Sequence, residues 1–142
     1  MYKRQVHTVT LWGFSTENWD RNKKEISHLM KIYEKLVDDY LKEAKKEKVK
    51  IVHLGRKDRL PKVLLKKIKL AEEETKDGDK YIMNIALDYG GHDDIIRAVQ
   101  GMIEDKVKAE DVNKKLIERY LDTKGQPYPC LLYTSPSPRD RS

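Results

Sequence analysis

Three short apolar runs, separated by segments of helical periodicity, restrict the folds that this chain can adopt. The runs are 6–11, 49–54 and 80–87, and they are rich in the β-branched and aromatic residues that favour strands. Strands that alternate with helices are joined by right-handed crossovers and lie parallel in one sheet. The first run carries no formal charge apart from a proton on His7, which predicts a strand buried on both faces. The sequence therefore predicts an α/β fold in which a parallel β-sheet is flanked by helices.

Four segments between and after these runs have the periodicity of amphipathic helices. The longest extends from 23 to about 46, and the others are 61–75, 93–105 and 109–121. Pro61 suits the first turn of the second helix, and acidic residues at the start of the third suit its N-terminus. In the longest helix, apolar residues recur at alternating steps of three and four: Ile26, Leu29, Met30, Tyr33, Leu36, Val37, Tyr40, Leu41 and Ala44.

An octapeptide at 14–21, Phe-Ser-Thr-Glu-Asn-Trp-Asp-Arg, directly follows the first predicted strand. Ser15, Asn18 and Arg21 can donate hydrogen bonds to an anion, and the planar guanidinium matches the paired oxygens of a phosphate. A lone serine or asparagine here is explained better by capping of the next helix. The whole octapeptide favours a binding site, and we predict a loop that opens at the edge of the sheet.

Segments 14–21, 55–59 and 88–94 each follow one predicted strand. Because the strands of a parallel sheet all point the same way, these segments must open on one edge, and open α/β sheets bind ligands at that edge. We therefore expect them to form a single site.

The composition limits the class of protein. The 142 residues allow one domain or part of one, and no apolar run approaches membrane-spanning length. No secretory signal pattern opens the chain, so we expect a cytoplasmic protein, with a place at the membrane surface also compatible. The net charge of +6 suits a diphosphate, an anionic membrane or nucleic acid, but lysines on solvated helix faces explain it equally well. The single cysteine, Cys130, supports neither a disulfide nor a cysteine-based metal site.

The octapeptide resembles the FSTENW-x-R signature of the cis-prenyltransferases, the family of undecaprenyl diphosphate synthase and the dehydrodolichyl diphosphate synthases. Two more segments resemble that family in order and spacing. Residues 55–61 are similar to the segment after its next strand, and 88–95 are similar to its YGGR-x-(D/E)-I element. The likeness extends over about 6–129, and several motifs in order are more specific than one. It implies a partial cis-prenyltransferase fold.

The resemblance implies an enzyme that condenses isopentenyl diphosphate with an allylic prenyl diphosphate to make a polyprenyl diphosphate lipid carrier. It implies that Asn18 is catalytic, in the proton-removal step. Because a neutral amide is a poor base, we assign Asn18 to orienting substrate or relaying the proton towards diphosphate oxygen. The residues implied in substrate binding are Ser15, Thr16, Glu17, Trp19 and Arg21.

The family likeness also implies Mg²⁺, which makes the diphosphate a better leaving group. Its ligands are expected outside this fragment, in an aspartate-Gly-Asn-Gly-Arg loop upstream and an Arg-x-Ser-Gly-Glu-type segment downstream, so no metal ligand is assigned here. The fragment itself is therefore expected to be inactive. For the intact enzyme the resemblance implies a homodimer and peripheral membrane association. It implies no nucleic-acid partner.

Several positions have two interpretations. Glu25 lies one helical turn after Arg21, and we favour a pair between them slightly over direct contact of Arg21 with substrate. Trp19 suits either the core or the wall of an isoprenoid pocket. Gly90 and Gly91 could place backbone amides near an anion, although a tight turn is the favoured role.

The chain departs from the family pattern at two positions. His92 stands where the family often has arginine, and Arg56 stands where many members have aspartate after glycine. Arg59 keeps the basic position three residues later. These departures indicate a divergent branch.

The two ends of the chain are related through the genetic code. The DNA sequence TATAAGAGACAG encodes residues 2–5. Its reverse complement, read from the second base, encodes residues 130–132 and the start of a tyrosine codon. We therefore expect 1–5 and 130–142 to be non-native, linker-derived residues and 6–129 to be a partial cis-prenyltransferase domain. A natural start followed by a disordered Ser/Pro-rich tail is the alternative.

Two other functions stay open at this point. A non-catalytic prenyltransferase-like partner subunit is one, although the retained Ser15, Asn18 and Arg21 argue against it. A basic α/β nucleic-acid-binding module is suggested only by charge, and the sequence has no recognised binding motif of that kind.

Overall fold

A three-stranded parallel sheet forms the centre of the fold. The computed structural model describes residues 6–127, in which β1 (Thr8–Ser15), β2 (Val49–Leu54) and β3 (Tyr81–Tyr89) lie in the order β1-β3-β2. β3 pairs in parallel with both neighbours. This confirms the predicted α/β class with a parallel sheet flanked by helices. The predicted linker-derived segments, 1–5 and 130–142, lie outside the described residues.

Three of the predicted helices are present with small shifts of their ends: α1 (Lys23–Glu47), α2 (Lys62–Glu74) and α3 (Gly91–Glu104). Asn22 caps α1, since its side-chain oxygen accepts a hydrogen bond of 2.9 Å from the backbone N–H of Lys24. None of the helices within residues 6–127 has the length and apolarity needed to cross a bilayer.

The prediction of one helix over 109–121 was wrong. The chain forms a short 3-10 helix, Ala109–Asp111, and then α4 (Lys114–Glu118). Asn113 lies between them and accepts a hydrogen bond of 3.1 Å from the backbone N–H of Leu116. An asparagine that caps a new helix cannot also continue the previous one, and this divides the segment.

The main core lies between the sheet and the helices α1 and α2. It is built from the apolar residues that recur at helical spacing in those two helices, together with alternate residues of the strands. Its buried members are Phe14, Met30, Val37, Ala44, Ile51, Leu60, Leu64, Ile68, Ala71 and Leu87.

A bulge in β1 directs the end of that strand into the core. Trp12 pairs with Ala86 and Phe14 pairs with Leu87, so Gly13 has no partner in β3. One extra residue reverses the alternation of side chains along the strand. Phe14 consequently packs in the core with 1% of its surface exposed. A Cβ at Gly13 would lie 2.9 Å from a methyl group of Leu87, which explains the glycine.

The expectation that the first strand is buried on both faces was wrong. Val9, Leu11 and Trp12 of β1 are 42%, 40% and 67% exposed. β1 is an edge strand in the described part of the chain, because it pairs with β3 alone. On α3, Ile96 and Ile103 are also exposed, at 55% and 69%. Exposed apolar surface on both β1 and α3 is typical of a fold against which further protein packs.

Candidate functional site

The segments that follow the three strands meet at one edge of the sheet, as their parallel order predicts. The indole N–H of Trp19, in the octapeptide after β1, donates a hydrogen bond of 2.8 Å to Oδ1 of Asp88 at the end of β3. The Nε–H of Arg59, in the segment after β2, donates a bond of 2.9 Å to Oδ2 of the same carboxylate. The carboxylate of Asp88 therefore joins the other two segments.

The octapeptide is more ordered than the predicted loop. Phe14 and Ser15 are the last residues of β1, and Thr16–Asp20 forms a short 3-10 helix. Oδ1 of Asn18 accepts a hydrogen bond of 2.9 Å from the backbone N–H of Ser15. Capping was the alternative to binding for these residues, and the structure shows that Asn18 does cap its own turn.

This cap fixes what Asn18 can offer to a ligand. A backbone N–H only donates, so the atom that faces it must be the amide oxygen of Asn18. The NH₂ group of the side chain is then the end that is left to meet a ligand. Asn18 can donate a hydrogen bond to an anion while its acceptor is engaged in the turn.

Trp19 packs against the core and also reaches the site. Its ring meets Phe14 edge to face, with 5.1 Å between ring centroids, and the guanidinium of Arg59 lies 5.7 Å from the indole centroid. Buried indoles usually find a partner for their N–H, and here that partner is Asp88. The structure therefore places the indole against the core, and the role of Trp19 in the wall of an isoprenoid pocket stays a prediction.

Arg21 makes the helical pair that the sequence favours. Its Nη1 donates a hydrogen bond of 2.9 Å to Oε1 of Glu25, and the two side chains are 52% and 51% exposed. Exposed pairs at this spacing contribute only about 0.3–0.5 kcal/mol. Within residues 6–127 the Arg21 side chain makes no other hydrogen bond, so the weak pair leaves the guanidinium able to turn towards an anion.

The remaining predicted site residues lie in the same turn. Thr16 packs directly against the start of α3, where a Cβ at Gly90 would lie 2.6 Å from its hydroxyl oxygen. A side chain at position 90 would therefore require Thr16 to move. The backbone of Gly90 is extended (φ −145°), so the close approach to Thr16, and not a tight turn, accounts for this glycine. Gly91 has open space around it, Glu17 is exposed and Ser15 is half-buried.

An apolar groove of about 110 Å³ lies beside the octapeptide, between α1 and the strands β1 and β3. Its walls include Leu11, Trp12, Tyr33, Leu36 and Ile85. The Tyr33 hydroxyl donates a hydrogen bond of 2.6 Å to the carbonyl of Gly13. Burial raises the pKa of this hydroxyl, and the positive charge of Arg21 partly offsets the increase. The charge of Arg21, in the predicted site, therefore acts on Tyr33, which lines the groove.

Sequence reasoning missed a charged network behind the site. Arg97 of α3 donates hydrogen bonds of 2.8 and 2.7 Å to the two oxygens of Asp122, and its Nε donates a bond of 2.9 Å to Asp93. Asp122 also accepts a bond of 2.7 Å from the backbone N–H of Gly55. No motif marks Arg97 and Asp122, because 25 residues separate them.

The unusual Arg56 belongs to the same network. It donates hydrogen bonds to Asp58 and Asp93 at 2.7 and 3.1 Å, and its bond to Asp58 is the main reason why the pKa of that carboxyl is lowered. Burial alone would raise the pKa of Asp93, but hydrogen bonds from Arg97 and Arg56 outweigh burial and lower it. Arg56 therefore joins Asp58, in the segment after β2, to Asp93 in the first turn of α3.

The residues described here do not form a metal site by themselves. Within residues 6–127, no three His, Cys, Asp or Glu side chains are placed so that they could hold a metal ion.

Comparison with known proteins identifies the family. A profile of the family described as "Putative undecaprenyl diphosphate synthase" matches residues 1–139. The chain is 42% identical over 134 residues to an isoprenyl transferase of Bacillus thuringiensis. The aligned residues make up 92% of this chain and 52% of that protein. It is 40% identical over 132 residues to a geranylgeranyl-diphosphate-specific tritrans,polycis-undecaprenyl-diphosphate synthase of Methanocaldococcus jannaschii. That alignment covers 87% of this chain and 46% of the archaeal protein. The chain spans about half the length of the curated relatives it matches.

Solved structures agree with this result. The crystal structure of a probable undecaprenyl diphosphate synthase from Campylobacter jejuni matches with a TM-score of 0.78 and 34% identity, over 84% of this chain and 57% of that one. Lavandulyl diphosphate synthase from Lavandula x intermedia, solved in complex with dimethylallyl diphosphate, matches with a TM-score of 0.79 and 28% identity, over 85% and 54%. The resemblance read from the three motifs is confirmed.

His53, on β2 beside the site, is a buried titratable residue. It is 6% exposed, and its Nε2–H donates a hydrogen bond of 2.9 Å to the carbonyl of Leu87. The other ring nitrogen, Nδ1, is buried and has no hydrogen-bond partner among the described residues. Burial lowers the pKa of His53 below its ordinary value of 6.5, and the bond to Leu87 only partly opposes this.

We predict that His53 makes the fold less stable in mild acid. Because its pKa is lower in the folded state, the unfolded chain binds the proton first, and the free energy of unfolding falls as the pH decreases through 6.5. The slope reaches at most about 1.4 kcal/mol per pH unit. Urea unfolding at several pH values between about 8 and 5.5 measures it.

His53→Gln should flatten this pH dependence, whereas His28→Gln, at an exposed position of α1, should leave it as it is. A wild-type stability that stays constant over the same pH range would contradict the assignment.

Proposed function

Because the chain belongs to the cis-prenyltransferase family, we propose that it is the middle part of an enzyme that adds isopentenyl diphosphate to an allylic prenyl diphosphate and makes a polyprenyl diphosphate lipid carrier. The observation that carries the proposal is the meeting of three strand-end segments around Asp88, one of which carries Asn18. This is the edge at which open α/β sheets bind ligands.

In the proposed reaction, the C–O bond of the allylic diphosphate breaks and diphosphate leaves with the electron pair. The double bond of isopentenyl diphosphate attacks the cationic carbon, and loss of a proton then forms the new cis double bond. The protein must hold two diphosphates, align two apolar chains and direct one proton. Positioning of this kind supplies a large part of the rate in such reactions.

Asn18 suits orientation and relay better than it suits a base. Its oxygen accepts the hydrogen bond from Ser15, which leaves the NH₂ group to donate to diphosphate oxygen. A diphosphate oriented in this way would itself receive the proton. Arg21 and the Ser15 hydroxyl are proposed as further donors to the same anion, with Thr16, Glu17 and Trp19 lining the substrate region.

The apolar groove suits the isoprenoid chain. It lies between α1 and the sheet, and Gly13, one of its lining residues, directly precedes Phe14 of the octapeptide. An apolar chain anchored by its diphosphate at the octapeptide could therefore extend along the groove. The exposed Trp12 and Leu11 offer it apolar surface that is already accessible.

Mg²⁺ is proposed as the cofactor of the intact enzyme, where it would supply Lewis-acid assistance to the leaving diphosphate. Its ligands are proposed to lie outside the described residues. A homodimer, a cytoplasmic location and contact with the membrane surface are proposed for the intact enzyme. The assignment of 1–5 and 130–142 to linker-derived sequence is likewise proposed.

The function is tested by comparing this chain with a parent restored from the flanking coding DNA. We expect the restored parent to incorporate labelled isopentenyl diphosphate into a polyprenyl product in the presence of Mg²⁺, and we expect no incorporation by the purified 142-residue chain, because its site is incomplete. A folded parent that incorporates nothing, but raises the activity of a second prenyltransferase subunit, would favour the non-catalytic alternative.

Asn18→Asp in the restored parent tests the role of the amide. The substitution keeps the size of the side chain, but it replaces the donor by a negative charge beside diphosphate. We expect turnover to fall by about ten- to a hundredfold, the effect of losing a hydrogen bond to a charged group. Steady-state incorporation of isopentenyl diphosphate measures it.

Asn22→Asp is the matched control, because Asn22 caps α1 through its side-chain oxygen and aspartate caps equally well. It adds the same charge four residues away and should leave turnover close to wild type. If Asn18→Asp supports wild-type or faster turnover with unchanged substrate affinity, a general-base role is the better account.

A further inference from the structure

Asp88 has a backbone conformation that only a few residue types adopt readily. Phe14 pairs with Leu87 and Ser15 with Tyr89, so Asp88 is an extra residue in β3 with no partner in β1. Its φ is 55°, in the left-handed region, which aspartate and asparagine tolerate better than other residues with a side chain. A bulge of this kind re-aims a side chain at the end of a strand.

The re-aimed carboxylate is fully buried, and both of its oxygens are engaged. Oδ1 accepts hydrogen bonds from the indole N–H of Trp19 and from Nη2 of Arg59, and Oδ2 accepts from Nε of Arg59. The exposed fraction of the Asp88 side chain is 0% and that of the Arg59 side chain is 39%. A buried charge requires such compensation, and here the compensating groups come from two different strand-end segments.

Trp19 is held from three sides by this arrangement. Asp88 engages its N–H, Phe14 packs against the ring edge to face, and the Arg59 guanidinium lies over the ring. Trp19 follows Asn18 directly within the five-residue 3-10 helix Thr16–Asp20. In so short a turn, a change in the position of the indole is transmitted to the neighbouring amide.

We propose that Asp88 is a positioning residue for the reaction: through Trp19 it fixes the turn that presents Asn18, and through Arg59 it fixes the ring of Trp19. The inference rests on the proposed function, since it gives that turn its role with the diphosphate. Displacements of about 1 Å in such a site are enough to reduce turnover strongly.

Asp88→Asn tests the proposal with little change in shape. Asparagine tolerates the left-handed conformation and can still accept from the indole, but it loses the charge that pairs with Arg59. The NH₂ group of the asparagine must also face the guanidinium of Arg59. Both groups only donate hydrogen bonds, so they cannot bond to each other. The substitution should therefore loosen Arg59 and, with it, Trp19.

The first measurement uses the indole N–H signals of the full 142-residue chain in ¹⁵N NMR. The chain has two tryptophans, and Trp12, 67% exposed, serves as the internal reference. Asp88→Asn should move the Trp19 signal and raise its solvent-exchange rate by about tenfold or more, the result of a weakened hydrogen bond to a charged group. The Trp12 ring meets Tyr89 edge to face, so the reference quantity is the solvent-exchange rate of Trp12, which should stay unchanged.

Asp94→Asn is the matched control. Asp94 is also a buried carboxylate, 3% exposed, but its partners are the backbone N–H of Asp122, the hydroxyl of Tyr89 and, at 3.6 Å, the guanidinium of Arg97. Its removal should leave the Trp19 signal unmoved. An unchanged Trp19 signal in Asp88→Asn, or an equal shift in Asp94→Asn, would overturn the proposal that Asp88 fixes the position of Trp19.

Arg59→Gln tests the same tie from the partly exposed side and leaves the buried left-handed residue untouched. It should move the Trp19 signal, because the substitution removes the guanidinium that lies over the ring and that shares the carboxylate with the indole. It decides the question if Asp88→Asn fails to fold, and an unmoved Trp19 signal in a folded Arg59→Gln chain would refute the proposal.

The second measurement is kinetic and separates positioning from general stability. In the restored parent, Asp88→Asn should lower kcat by about tenfold or more while KM for isopentenyl diphosphate changes little, at a temperature where the variant is fully folded. An unchanged kcat would refute the positioning role. A wild-type parent without activity would refute the proposed function and this kinetic role, whereas the NMR result would still decide whether Asp88 holds Trp19.

Discussion

The hydrogen bonds at the carboxylate of Asp88 join parts of the chain that no local structure would bring together. Trp19 and Arg59 belong to segments that follow different strands, and 69 and 29 residues separate them from Asp88. β3 lies between β1 and β2, so its end is the one point that both segments can reach. The parallel sheet fixes where the segments end, and this buried charge fixes how they face one another.

The described residues divide into a well-packed half and an exposed half. The helices α1 and α2 enclose a core with the sheet, in which Leu64 and Ala71 have no exposed surface. On β1 and α3, by contrast, large apolar side chains such as Trp12 and Ile103 face solvent. The chain spans about half the length of its curated relatives.

The sequence was sufficient for the elements with strong local signals. The bounds of β2 match the predicted run, and α1 follows its apolar periodicity closely. The exposure of β1 could not be predicted, because absence of charge suits an edge strand and a central one equally. Neither could the role of Asp88, since its left-handed backbone and bulge follow from pairing with a strand far away in the chain. The octapeptide residues were found by motif, but the cap that orients Asn18 is a matter of geometry.

The most direct test of the account is a crystal structure of the restored parent with a bound, unreactive diphosphate analogue of the allylic substrate. We expect diphosphate oxygens within hydrogen-bond distance, about 2.7–3.2 Å, of the Asn18 NH₂ group, with the apolar chain in the groove beside Tyr33. Asp88 should retain its contacts with Trp19 and Arg59. A diphosphate bound away from the octapeptide, with Asn18 making no contact to it, would show that the octapeptide is not the diphosphate site.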